Sequence, residues 1–83
     1  MKYYPLYSYK IEYFLNPDSN KKIFTGFTFN VSNSGFCLYT SELLNEGQKI
    51  VINNNLLVAS KLAIVRWIEK YDEIFYMAGL EFI

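Results

Sequence analysis

A period of two sets in at the seventh residue. From Tyr7 to Phe14, Tyr7, Tyr9, Ile11 and Tyr13 fall on one side, with Ser8, Lys10 and Glu12 on the other. Alternation of this kind marks a half-buried strand. The turn formers Asn16-Pro17-Asp18-Ser19-Asn20 end it. Lys22 to Phe29 predicts a second strand, with Ile23, Thr25, Phe27 and Phe29 on one face and Gly26 on the other. A glycine inside a strand marks a bulge or a close backbone approach. Asn30 to Gly35 is a polar interruption, and Phe36 to Thr40 a short apolar strand. Ser41 to Gly47 reads as a single helical turn or a loop, with Ser41 at its entry and Gly47 at its exit. Gln48 to Asn53 is a fourth strand. Asn53-Asn54-Asn55 tolerates positive φ and predicts a tight hairpin. Leu56 to Ile68 is long enough for an amphipathic helix, but its Val and Ile content favours a long strand bent near Ala59-Ser60. Glu69 to Glu73 is a charged turn, and Ile74 to Ile83 a last strand interrupted by Gly79.

Six strands in 83 residues, joined by short turns, predict one all-β domain. The expected architecture is a small six-stranded antiparallel β-barrel without a long C-terminal helix, since closure removes exposed sheet edges. Residues 1–6 would form a tail and 7–83 the barrel.

Composition agrees with sheet and removes most chemistry. Aromatic residues make up 19% of the chain, with eight Tyr and seven Phe, and such residues suit pleated surfaces. There is no His, so neither Ser-His nor Cys-His catalysis nor a His-ligated metal site is available. The single Cys37 closes no internal disulfide and reads as a core residue rather than a reactive thiol. No pair of carboxylates has a reason to converge. The expectation is therefore no enzyme, no catalytic residue, no metal and no cofactor. Eight acidic and eight basic residues give zero net charge, unlike the basic face of a nucleic-acid binder. The N-terminus lacks the apolar core of a signal peptide, and no apolar run approaches the roughly 20 residues of a membrane span. A cytoplasmic location without membrane insertion is expected.

The most informative segment is Asn30-Val31-Ser32-Asn33-Ser34-Gly35, an Asn-x-Ser-x-x-Gly turn between two strands. Asn and Ser side chains can bond their own turn backbone, and Gly can adopt positive φ. Downstream come Leu44-Asn45-Glu46-Gly47-Gln48-Lys49-Ile50, then Val65-Arg66-Trp67, then Gly79-Leu80-Glu81-Phe82. In this order and spacing the chain resembles the PilZ domain family, which carries a D/N-x-S-x-x-G turn, a glycine-containing hairpin, a V-x-W strand and a closing G-x-x-F strand. The resemblance runs from about Tyr7 to Ile83. It implies a six-stranded barrel that receives the bacterial second messenger cyclic di-GMP. It also implies that Asn30, Ser32 and Gly35 contact a guanine.

The family's second element is an N-terminal R-x-x-x-R that forks onto guanine and phosphate. Here Lys2 and Leu6 stand at those positions, and Arg66, the only arginine, reads as a solvent-facing residue. Lys2 can attract a phosphate as a point charge but offers no bidentate fork. Each charge-assisted hydrogen bond is worth about 1.5–3 kcal/mol. Losing two weakens binding by roughly two to four decades. Many family members also end in a barrel-capping helix, whereas this sequence stops at Ile83. The expectation is a PilZ-like signalling or adaptor domain with cyclic di-GMP binding weak or lost. It would act through a protein partner in motility, pilus or surface regulation, with self-association as a further option. The alternative is a functional cyclic di-GMP effector using Asn30, Ser32, Gly35 and Lys2.

Overall fold

The computed structural model describes residues 8–16, 22–29, 31–53 and 60–83. Among them are six strands and no helix: β1 (Tyr9–Asn16), β2 (Phe24–Thr28), β3 (Gly35–Thr40), β4 (Lys49–Ile52), β5 (Lys61–Lys70) and β6 (Tyr76–Phe82). All neighbours pair antiparallel, and the sheet closes in the order β1-β2-β3-β6-β5-β4. Strand β1 performs the closure. Its first half pairs with β2 (Tyr9↔Thr28 to Tyr13↔Phe24) and its second half with β4 (Tyr13↔Ile52 to Asn16↔Lys49).

The expected six-stranded antiparallel barrel is therefore present. Its strand ends shift by at most two residues, except by five at the start of β5. The segment 41–47 is a loop, not a helical turn. It closes on Gly47, which takes a φ of 84° and donates its N–H to the Val65 carbonyl at 2.7 Å. The residues behind the expected turn at 17–20, the hairpin at Asn54-Asn55 and the bend at Ala59 lie outside the described residues. No helix among the described residues is long and apolar enough to cross a membrane.

The barrel interior is filled by Ile11, Tyr13, Phe36, Leu38, Leu44, Ile50, Ile52, Ala63, Val65, Ala78 and Leu80. Two threonines, Thr28 and Thr40, are buried with them. Tyr13 has no solvent exposure, and its hydroxyl shares a 2.7 Å hydrogen bond with Thr40 Oγ1. Burial pushes the Tyr13 phenol pKa up to about 12, because a buried phenolate loses its hydration.

Strand β2 alternates as expected, with Ile23, Thr25, Phe27 and Phe29 on one face and Gly26 on the other, and the structure turns the glycine face inward. Its inward face is Phe24, Gly26 and Thr28, while Phe27 and Phe29 lie outside and only half buried. Gly26 is the reason this face can turn inward. A Cβ there would sit 2.6 Å from the Tyr39 carbonyl oxygen and 2.8 Å from Leu38 Cδ1. The missing side chain lets Leu38 fill that part of the core. The outer rings are then covered by one another. Phe27 stacks on Tyr39 at 5.3 Å between centroids and meets Phe29 and Phe75 edge-on. Tyr39 in turn meets Phe29 and Tyr71 edge-on.

Candidate functional site

At the other end of β3's outer face the wall changes character. Here an open cleft of about 430 Å³ is lined by Ser32, Ser34, Gly35, Phe36, Cys37, Arg66, Trp67, Gly79, Leu80 and Glu81. Its size falls in the range of small-molecule sites, about 300–1,000 Å³. Two glycines in its wall let neighbouring groups pack directly on the backbone. Gly35 pairs with Glu81, and Gly79 pairs with both Cys37 and Trp67. A Cβ on Gly79 would overlap the Trp67 indole, so the ring lies against bare backbone.

The Ser32–Gly35 turn forms one rim. Ser32 N–H donates to the Gly35 carbonyl at 3.0 Å, and the Ser32 hydroxyl donates to the same oxygen at 2.8 Å. The Gly35 N–H returns a 3.3 Å bond to Ser32 Oγ, and Ser34 Oγ lies 3.2 Å from it. The Ser32 hydroxyl is thus engaged with its own turn and shapes the rim. Gly35 is buried against the Leu80 carbonyl, which a Cβ would overlap. The Ser34 carbonyl accepts from Phe82 N–H at 2.8 Å and ties the rim to the end of β6.

A β-bulge builds the opposite side. Val65 pairs with Leu80 and Trp67 with Gly79, leaving Arg66 between them without a partner residue on β6. An extra residue of this kind re-aims the side chains that follow it. Before the bulge, Ala63 and Val65 are buried. After it, Arg66 and Trp67 both lie exposed, and Ile68 rather than Trp67 turns towards the core. Arg66 is solvent-facing, as expected. It also stands in the cleft wall, where its Nε donates to Glu81 Oε1 at 2.6 Å and its Nη2 contacts the same oxygen. Both side chains are at least half exposed (59% and 50%). An exposed pair of this kind contributes about 0–1 kcal/mol to stability. Because both contacts fall on one oxygen, the parallel two-oxygen fork that makes Arg–carboxylate pairs strong is not formed.

Cys37 corrects an expectation. It is not in the core: its neighbours Phe36 and Leu38 point inward, and Cys37 lies half buried in the cleft wall. Burial pushes its thiol pKa up, and the nearby Glu69 charge acts in the same direction. That lowers the thiolate fraction.

Of the residues singled out from the sequence, Ser32 and Gly35 meet at the cleft rim. Asn30 and Lys2 lie outside the described residues, as do Leu6 and the rest of the expected tail at 1–6. The sequence reading missed Ser34, Trp67 and Glu81 as cleft residues, and it read Arg66 as solvent-facing rather than as part of the site. Val-Arg-Trp was visible as a motif, but its junction with Ser32–Gly35 runs through β6 pairing with both β3 and β5. Compared with protein-family models, curated proteins and solved structures, the chain matches none of them.

Proposed function

We propose that this protein is a PilZ-like, non-enzymatic signalling or adaptor domain. Its affinity for cyclic di-GMP is weak, and it acts by contacting a protein partner in the cytoplasm. The observation that carries the reading is the opening of the Ser32–Gly35 turn onto an outer cleft of a closed six-stranded barrel. A turn of that motif at a cleft rim suits a guanine edge, to which its amide and hydroxyl side chains can hydrogen-bond. The resemblance assigns the guanine contacts to Asn30, Ser32 and Gly35. Weak binding follows from Lys2 and Leu6 standing where the family has arginines. The outer rings of Phe27, Phe29, Tyr39 and Phe75, with the exposed Tyr71 and Ile74 beside them, offer a surface for a protein partner. The presence of Arg66 in the same cleft favours a second reading, in which the barrel is a working cyclic di-GMP effector that uses Asn30, Ser32, Gly35 and Lys2.

Calorimetric titration of the full chain separates these readings. The expected result is a dissociation constant of hundreds of micromolar or weaker, tightened roughly a hundredfold or more by Lys2→Arg with Leu6→Arg. Submicromolar binding by the unaltered chain would establish the effector. No binding even by the double variant would remove the family reading.

A further inference from the structure

We propose that Arg66 is the phosphate-binding group of the cleft and that Glu81 holds it in a neutralised state that an incoming phosphate must break. The inference rests on the reading of the cleft as a ligand site and adds how that site is regulated.

Four observations carry it. Arg66 is the only guanidinium in the chain, and it lines the same cleft as the turn that includes Ser32, Ser34 and Gly35. The bulge in β5 leaves Arg66 outside the ladder register, so its position serves no pairing partner on β6. Its partner Glu81 is also a cleft residue, paired on β6 with Gly35, which has no side chain to stand between Glu81 and the turn. Finally, the Arg66–Glu81 contact engages one carboxylate oxygen and is open to water on both partners. A phosphate or phosphodiester presents two oxygens to a guanidinium fork, the geometry that Glu81 does not use here.

Glu81 therefore acts in two ways on an anionic ligand. It competes for the guanidinium, and its charge repels the phosphate at the rim. Weak binding by the unaltered chain then has a second source besides the absent N-terminal arginines. Removing the carboxylate should release a cation that is already in place.

The test uses the full chain and the fluorescence of Trp67, the single tryptophan, which lies in the cleft wall beside Arg66. Calorimetry supplies a second readout. Cyclic di-GMP and inorganic pyrophosphate are titrated separately, at low ionic strength, into the parent, Glu81→Gln, Arg66→Gln and the double variant. Glu81→Gln is expected to bind about tenfold more tightly than the parent, and Arg66→Gln about tenfold more weakly. In the double variant the part of the gain from Glu81→Gln that acts through Arg66 should vanish, leaving only the smaller part owed to relief of repulsion. Unchanged melting temperatures would show that all four proteins are folded.

If cyclic di-GMP binds the parent and neither single substitution alters the affinity, the Arg66–Glu81 proposal is overturned while the PilZ-like reading stands. If cyclic di-GMP binds none of the proteins, that reading loses its ligand and pyrophosphate decides the proposal. Binding to Glu81→Gln but not to the double variant upholds it, and no binding to Glu81→Gln overturns it. A gain that persists at full size in the double variant overturns it as well, because relief of repulsion alone would then explain the effect.

Discussion

The outer face of β3 joins two unlike regions. At one end Tyr39 is packed among Phe27, Phe29 and Tyr71, and large rings fill the space between strands. At the other end Gly35 lies against the Leu80 backbone and, across on β6, Gly79 lies against the Trp67 indole, so neither adds a side chain to the wall, and a cleft opens beside them. Both regions rest on the same ladder and the same core. The difference lies in side-chain volume on the outward positions. Where the chain carries aromatics the barrel wall thickens, and where it carries glycines the wall stays thin beside a cleft.

That contrast can be broken most severely at the cleft end. Gly35→Ala should cost about 3 kcal/mol in urea denaturation, because its Cβ meets the Leu80 backbone carbonyl, which cannot move without disturbing the β3–β6 pairing. A loss below about 0.5 kcal/mol would show that the wall is pliable at that glycine. At the aromatic end, Phe27→Ala should cost about 2 kcal/mol. It removes three ring contacts but from a half-exposed position, so it should fall short of the about 3–5 kcal/mol of a buried aromatic. It should leave ligand affinity at the cleft unchanged. A matching loss of affinity would mean that the two ends are one coupled surface.

The smallest effect at neutral pH is expected inside the wall. Tyr13→Phe removes one buried hydrogen bond to Thr40, whose Oγ1 keeps the Glu42 N–H as a donor, so the cost should be about 1 kcal/mol. The sharper readout is alkaline pH. The Tyr13 phenol pKa is raised to about 12 in the folded protein against an ordinary 10.0. The folded state then holds a proton that the unfolded state has released. Stability from this group is fully present below pH 10 and falls as pH rises from about 10 to about 12, by up to about 3 kcal/mol. The variant should lack that part of the decline. Equal slopes for parent and variant above pH 10 would contradict the assignment.

Much of the barrel was legible because strands declare themselves locally. Tyr9, Ile11 and Tyr13 alternate with Lys10 and Glu12, and β1 forms where they do, with Ile11 and Tyr13 inside. Strand β2 was less legible, since Phe24 and Phe27 lie on opposite faces and period two cannot say which face is inside. Only the fit of Leu38 over Gly26 decides that. The turn of the candidate site could be read directly, being six consecutive residues. Arg66 could not be joined to it. Its approach depends on a bulge, and its ion pair spans 15 residues of sequence through the β5–β6 pairing. Cys37 misled for a related reason. It sits in an apolar run, Phe36-Cys37-Leu38, whose two neighbours point inward and leave it on the outer wall.

The bulge in β5 has a consequence for how such a barrel can change over generations. Remove Arg66 and the remaining residues, Val65, Trp67 and Ile68, fall into an unbroken ladder opposite Leu80, Gly79 and Ala78, with Trp67 still outside and Ile68 still turned to the core. The cleft's cation is thus, in genetic terms, a one-codon insertion that leaves the barrel's register untouched. A lineage could acquire or discard the charge in a single step, independently of the fold that displays it.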